Sequence, residues 1–310
     1  MDLSTEYLGL TLEHPFVVGA SPLTADLDTV QRVADAGAAA LVLPSLFEED
    51  IARYGATADR YLEHLVRVKR SVRPPVIASL NGTTPESWLR YARLIEQAGA
   101  DALELNFYHV ATDPAEDASM VERRVVDIVA VLKESIAIPL AVKLSPFYTS
   151  LPHLAAQLDR IGADGLVLFN RFFQPDVDPE GRQPTLQLTL SEPGELLLRL
   201  RWIAILAGRV HASLAATGGV HDALDAVKAV MAGADCVQVV SVLLRYGPNR
   251  LRALRREFER WVEEHQYPSL HDMKGRVSLA RGADRETFER GNYVRLLQAS
   301  HTSGVLFVGQ

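Results

Sequence analysis

A short motif that occurs four times sets the number of strands that this chain can form. In each copy, an alanine or isoleucine and a glycine are followed within two or three residues by an apolar run. The glycine suits the C-terminal cap of a helix, and the apolar run suits a strand that is buried on both faces of a parallel sheet. The glycines of the four copies are Gly37, Gly99, Gly162 and Gly233.

The spacing of these copies predicts eight strands rather than four. The glycines lie 62, 63 and 71 residues apart, which is too long for one strand and one helix and right for two of each. Further apolar runs alternate with the copies, at Phe16–Val18, 76–79, Leu140–Leu144 and 214–217. Eight strands alternating with helices close a parallel barrel, so we predict an α/β fold, a (β/α)8 TIM barrel. A doubly wound open sheet is the alternative, but it rarely keeps such even spacing through eight strands.

Two other segments are predicted as additions to a single domain that covers residues 1–310. Residues 3–13 suggest two short strands with a turn at Gly9, a hairpin that plugs the lower end of the barrel. Residues 171–201 are an insertion after the sixth strand, and the alternating run TLQLTL at 185–190 predicts a hairpin within it. An excursion of this length from the mouth of a barrel suggests a lid.

Three stretches outside the strands carry helix signals. The charged segment 48–73 has helical periodicity and is predicted as a solvated helix. Thr84 precedes Pro85 and is predicted to cap the next helix. Residues 275–310 are predicted as a charged C-terminal tail with weak periodicity.

The net charge, the cysteine content and the N-terminal sequence limit which partners, cofactors and location we expect for this protein. The formal net charge of −7 argues against nucleic acid as the main partner. The single cysteine, Cys236, lies inside the eighth strand, which favours a core position and excludes an intrachain disulfide or an iron–sulfur cluster. The N-terminus has neither a basic segment nor a long apolar run, so we expect no signal peptide, no membrane anchor and a cytoplasmic location. No metal site is predicted.

The turn after the seventh strand resembles a phosphate cradle. Gly218 and Gly219 leave backbone N–H groups that no Cβ shields, and a helix N-terminus follows at residue 223. Such turns also occur where a side chain would clash with neighbouring atoms. The sequence is therefore compatible both with a phosphate site and with a purely steric role of the two glycines.

Polar side chains stand at the ends of several strands, where barrel enzymes carry their sites. Asn106 ends strand four, Asn170 follows strand six, and Ser45 ends strand two. Lys143 lies among apolar residues of strand five, where an unpaired ammonium is costly to bury. We therefore favour a functional role for Lys143 over a salt-bridged structural one.

The order of these motifs resembles the dihydroorotate dehydrogenase family of FMN-containing barrels. The resemblance runs from His14 to about Gly247. It is carried by the motifs HPFVVGAS, LELN, PLAVKLSP, LFN and ATGGV…AGADCVQVVS with the trailing RYGP.

The resemblance implies a role for each matching residue. Ala20 and Ser21 would pack on the flavin, Ser45 would hydrogen-bond it, and Lys143 would donate to its pyrimidine edge. Asn106 would face both flavin and substrate, and Asn170 would reach the substrate ring. The residues implied to hold the FMN phosphate are Gly218, Gly219, Val240 and Ser241.

The substrate half of the motif departs from the family pattern. The segment after Asn106 reads FYHVA, so the position of the family's base falls on or next to His109 and the following asparagine is absent. The family lysine before the strand-two serine is Pro44 here, and the asparagine-rich loop has no counterpart in 48–73. Tyr108 and His109 are the candidates for acid–base catalysis; filling the space left by the lost loop is the alternative.

These observations predict an FMN-dependent oxidoreductase that acts on CH–CH bonds. Hydride would pass between flavin N5 and a small cyclic or unsaturated substrate, with dihydroorotate oxidation in pyrimidine biosynthesis as one candidate. The partners expected are a small-molecule substrate and a second copy of the chain in a homodimer. Two alternatives remain: a lyase or aldolase with a Schiff base on Lys143, and a flavin-binding subunit without turnover.

Overall fold

The predicted strands close into a barrel in the computed structural model, which describes residues 1–54, 57–82 and 85–303. Eight parallel strands follow one another around the barrel in the order β11-β12-β3-β4-β5-β6-β7-β8, and β8 pairs with β11 to close it. The strands are β1 (Thr5–Tyr7), β2 (Leu10–Leu12), β3 (Phe16–Val18), β4 (Ala40–Phe47), β5 (Val76–Asn81), β6 (Ala102–Asn106), β7 (Leu140–Leu144), β8 (Gly165–Leu168), β9 (Asp176–Asp178), β10 (Gln183–Thr185), β11 (Ser213–Thr217) and β12 (Cys236–Val239).

Helices surround the barrel and cover the outer faces of its strands. The helices are α1 (Leu27–Asp35), α2 (Glu48–Tyr54), α3 (Thr57–Ser71), α4 (Pro85–Gln97), α5 (Ala118–Ser135), α6 (Leu151–Arg160), α7 (Leu196–Leu206), α8 (Ala223–Ala232), α9 (Ser241–Tyr246), α10 (Asn249–Glu264), α11 (Leu270–Met273), α12 (Arg285–Phe288) and α13 (Arg290–Ser303). The four motif glycines all have positive φ angles, between 88° and 127°, as a helix C-terminus requires. The predicted (β/α)8 barrel is confirmed.

One predicted boundary differs from the structure. Within the stretch 48–73, predicted as helical, the described residues form α2 and α3, and residues 55 and 56 between them lie outside the described residues. The segment 171–201 includes the first turns of α7, so the excursion from the barrel ends at about Glu195. Thr84, predicted as a helix cap, lies outside the described residues, as do the last seven residues of the predicted tail.

The hairpin predicted at residues 185–190 is wrong. The insertion does contain a hairpin, but it pairs β9 with β10, upstream of that run. Leu186 and Leu188 are almost fully exposed. Alternation of apolar residues indicates a strand only where one face has a core to pack against, and these leucines have none.

The N-terminal hairpin closes the lower end of the barrel, as predicted. Strands β1 and β2 pair antiparallel, and Tyr7, Leu8 and Leu12 are fully buried against the inward-facing residues of the barrel strands, which include Cys236. A Cβ built on Gly165 would lie 2.4 Å from Leu8 Cδ2, so the first residue of β8 must be glycine to make room for the plug.

Replacing either member of this contact should destabilise the protein, and the two effects should not add. Leu8→Ala leaves a cavity and should cost about 3 kcal/mol. Gly165→Ala should cost about 1–3 kcal/mol in the wild type and less than about 1 kcal/mol in the Leu8→Ala background, where the clash is gone. Urea unfolding measures both values. Gly194→Ala, whose Cβ would meet no atom within 4 Å, is the control; equal costs of Gly165→Ala in the two backgrounds would contradict the packing.

His14 is a buried histidine at the start of β3. Its Nδ1 accepts a hydrogen bond from Phe16 N at 3.2 Å, which requires the neutral ring. Burial, assisted by the nearby Arg255 guanidinium, lowers the pKa of His14 to about 4. The unfolded chain, with a histidine pKa near 6.5, therefore binds a proton at a pH where the folded chain does not.

This difference predicts a loss of stability in mild acid. The neutral, buried form of His14 contributes roughly 3 kcal/mol to the free energy of unfolding. This contribution is fully present above pH 6.5 and is lost as the pH falls from 6.5 to about 4. His14→Asn, which keeps an acceptor but does not titrate, should show a flatter stability profile over this range. Urea midpoints from pH 7.5 to 4.5 measure the difference, and His271→Asn at an exposed histidine serves as control. Parallel profiles of wild type and His14→Asn would refute the assignment.

Candidate functional site

A row of hydrogen-bonded polar side chains lies across the carboxyl end of the barrel. Asn170 Nδ2 donates to Asn106 Oδ1 and, at 3.2 Å, to the carbonyl oxygen of Phe107. Asn106 Nδ2 donates to Ser45 Oγ at 3.3 Å, and Ser45 is 2.7 Å from the hydroxyl of Ser79. The structure thus brings together three of the residues predicted for the site, from β4, β6 and the end of β8.

Beneath this row, Lys143 belongs to a buried ion pair. Its Nζ lies 3.1 Å from Glu104 Oε1 and 3.5 Å from Gln238 Oε1, and Gln238 Nε2 donates to Glu104 Oε2 at 2.6 Å. Glu104 is completely buried and Lys143 nearly so. The lysine therefore has a protein partner, which the sequence analysis did not identify. Glu104 precedes Asn106 by two residues on β6, and Lys143 is the register neighbour of Asn106 on β7, so the ion pair lies next to the polar row on its interior side.

The glycine turn after β11 is rich in hydrogen-bond donors. Gly219 N donates to Ser191 Oγ at 3.2 Å, and Ser191 N and Oγ both reach Ser241 Oγ, at 2.9 and 2.8 Å. Ser241 accepts both bonds, which leaves its own hydroxyl hydrogen free to donate. Amide and hydroxyl donors in this arrangement suit a phosphate group, so the residues present fit the FMN phosphate.

The steric explanation for the two glycines also holds. Gly218 and Gly219 have φ angles of 89° and 85°, and a Cβ on Gly219 would lie 2.5 Å from Leu196 N at the start of α7. The buried guanidinium of Arg199 lies beside Gly218 and donates to the carbonyl oxygen of Thr217 at 3.0 Å. Close packing is therefore a property of the same turn that gathers the donors.

Two arginines place positive charge next to this turn. Arg171 donates two hydrogen bonds of 2.8 Å to Glu195, and Arg199 donates to the carbonyl oxygen of Glu195 at 2.8 Å. Burial lowers the pKa of Arg199 from its usual value, an effect that Glu195 opposes. The sequence analysis missed Ser191, Arg199, Glu104 and Gln238. Arg199 and Glu104 each interrupt an apolar run, as Lys143 does, and this pattern could have identified both of them from the sequence.

Residues at the ends of β3 and β12 line one side of the barrel mouth. A Cβ on Gly19 would lie 2.9 Å from Val240 Cγ2, so the two strand ends approach closely. Ala20 packs against the residues inside the barrel, and Ser21 Oγ donates to the carbonyl oxygen of Gly19. The predicted contacts of Ala20 and Ser21 with the flavin ring, and of Val240 with its phosphate, stay predictions.

Tyr108 and His109 lie at the mouth but outside the polar row. Tyr108 stacks on Phe172, with ring centroids 4.3 Å apart and an angle of 10° between the rings. His109 Nε2 lies 3.1 Å from Glu116 Oε2 and 3.2 Å from Arg124 Nη1, and these contacts lower the pKa of Glu116. Within the described ranges, neither residue hydrogen-bonds to Asn106, Lys143 or Asn170.

Comparison with known proteins identifies the family. The family model described as dihydroorotate dehydrogenase matches residues 48–262. The chain belongs to the dihydroorotate dehydrogenase family. This assignment confirms the predicted enzyme class, an FMN-dependent oxidoreductase that acts on CH–CH bonds.

The chain covers nearly the whole length of two relatives and about two thirds of a third. The catalytic subunit of dihydroorotate dehydrogenase B (NAD(+)) from Thermoplasma acidophilum is 29% identical over 88% of this chain and 98% of its own. The corresponding Thermoplasma volcanium subunit is 26% identical over 90% and 99%. A putative dihydroorotate dehydrogenase A (fumarate) from Aeropyrum pernix is 30% identical over 65% and 67%. In the part of the chain that the structure describes, no helix is long and apolar enough to cross a membrane.

The donor cluster at the glycine turn predicts that Ser191 strengthens FMN binding. Ser191→Ala removes the hydroxyl that joins Gly219 to Ser241, and the dissociation constant for FMN should rise about tenfold, the equivalent of one hydrogen bond. Fluorescence quenching during titration of the apoprotein with FMN measures it. Ser278→Ala, a buried serine at the opposite end of the barrel, should leave it unchanged; equal affinities of all three proteins would contradict the assignment.

Proposed function

We propose that the chain oxidises a C–C single bond of a small cyclic or unsaturated substrate bound at the polar row, and that dihydroorotate is the first candidate. The observation that carries the proposal is the hydrogen-bonded pair of Asn106 and Asn170 next to the buried Lys143, which is the register neighbour of Asn106. Carboxamides both donate and accept, which suits the amide edge of a ring such as a dihydropyrimidine.

The chain contributes binding and proton transfer to this reaction. FMN, when bound, supplies the acceptor for the hydride. Asn106 and Asn170 orient the substrate, and Ser45 orients Asn106. Lys143 is a catalytic residue in this proposal because its ammonium favours the negative charge that accumulates on a reduced ring.

We assign acid–base catalysis to the loop after β6. His109 is about half exposed, so a proton taken from the substrate can pass from its ring to water. Tyr108 is held by its stack on Phe172, whose ring also meets the edge of Phe147 at 5.1 Å. These three aromatic side chains would cover the substrate and exclude water from it.

The loop after β6 bears on which substrate the site accepts. Phe107, Tyr108 and His109 stand where the family pattern has other residues, and Pro44 replaces a lysine. A cavity of about 290 Å³ beside this loop is lined by Glu116 and Glu122. Glu116 is paired with His109 and Arg124, but the carboxylate of Glu122 would repel a substrate carboxylate, so a ring without one is the second candidate.

Assembly and location complete the proposal. The relatives named above as catalytic subunits support a role as the substrate-oxidising subunit, and we propose that it acts in the cytoplasm. We propose a homodimer, for which the exposed leucines of the insertion offer apolar surface. Sedimentation velocity measures the assembly state.

Anaerobic reduction of the bound flavin tests the proposed function. Dihydroorotate or dihydrouracil should bleach the visible absorption of the purified holoprotein. Asn170→Ala should slow the bleaching about 100-fold by removing a substrate contact, whereas Asn249→Ala, at an exposed position, should not.

Failure of both substrates to reduce a bound flavin would contradict the proposal. Family membership supports the oxidoreductase over the Schiff-base alternative, and borohydride trapping with a carbonyl compound tests that alternative directly.

A further inference from the structure

Glu104 occupies the least accessible position of the site, and both of its carboxylate oxygens have a partner. Oε1 receives the Lys143 ammonium at 3.1 Å, and Oε2 receives the Gln238 carboxamide at 2.6 Å. None of the roles assigned above uses Glu104 or Gln238.

We propose that Glu104 is a positioning residue that partly neutralises the Lys143 ammonium and thereby sets the reduction potential of the bound FMN, with Gln238 anchoring the carboxylate. The inference rests on the proposed function, because it requires the flavin to lie above Lys143.

The topology places this pair under the site. Glu104 precedes Asn106 by two residues on β6, so both side chains point into the barrel. Gln238 lies on β12, four strands away from β6 in either direction around the closed barrel. Its hydrogen bond to Glu104 therefore crosses the whole interior and forms a polar layer between the plug below and the mouth above.

Electrostatics explains why the carboxylate matters to the flavin. An isolated ammonium in a dry interior acts on a nearby ring as a full positive charge, whereas an ammonium 3.1 Å from a carboxylate acts as a dipole. A ring that takes up two electrons and one proton gains one negative charge. Its reduction is therefore favoured less by the pair than by the lysine alone.

The surrounding groups respond to the negative charge of Glu104. Burial raises the pKa values of Tyr7, Tyr61 and Cys236, and the carboxylate of Glu104 raises each of them further. Stability alone does not call for such a pair, since apolar residues of similar volume commonly stabilise a core as well as a buried ion pair does.

Potentiometric titration of the FMN in four variants tests the inference. Glu104→Gln keeps the shape and removes the charge, so the midpoint potential should shift to more positive values. Glu104→Asp keeps the charge and should stay closer to the wild type. Gln238→Leu should give a smaller positive shift, because a carboxylate without this anchor is held less firmly against the Lys143 ammonium. Glu263→Gln, an exposed carboxylate on α10, should give no shift.

A comparison of two further variants applies if Glu104→Gln does not fold. Lys143→Met should have a lower potential than the double variant Glu104→Gln/Lys143→Met, since only the first retains the carboxylate. Equal potentials of wild type and Glu104→Gln, or of this second pair, would overturn the inference while leaving the proposed function intact. A wild-type protein that binds no FMN would instead contradict the proposed function.

Discussion

A charged lysine inside a dry barrel needs a partner, and the arrangement of the site follows from that requirement. Lys143 has carbon-rich neighbours on its own strand, and only side chains from other strands can reach its ammonium. Glu104 comes from the adjacent strand and Gln238 from the opposite side of the barrel. The three side chains occupy the volume between the plug and the mouth, so a ligand at the mouth rests on a charged layer rather than on an apolar one.

The same closure that buries this layer assembles the rest of the site. A parallel barrel brings all of its strand ends to one rim, and there Ser45, Asn106 and Asn170 meet although more than a hundred residues separate the first from the last. The insertion after β8 contributes Ser191 to the glycine turn and Phe172 to the stack on Tyr108. One loop thus contacts both the glycine turn and the loop after β6 on the other side of the mouth, as a lid would.

Local sequence patterns predicted the structure correctly wherever the backbone conformation of individual residues decided it. The four helix-ending glycines need positive φ angles, and this need is visible in the sequence without any knowledge of neighbours. The same holds for the Gly218-Gly219 turn. The run at residues 185–190 shows where prediction from a local pattern fails. Its polar and apolar residues do alternate, but no sheet or core lies next to it.

The sequence by itself determined the barrel, the strand ends that carry the site and the flavin half of the family motif, since all of these follow from periodicity, turn residues and short motifs. Tertiary structure alone decided which groups meet: Glu104 and Gln238 at Lys143, Ser191 at the glycine turn, and Glu116 rather than the polar row at His109. The physical reason is that a buried charge or hydroxyl selects its partner by distance in space. In a closed barrel, such neighbours are set by strand order and register, which no local stretch of residues encodes.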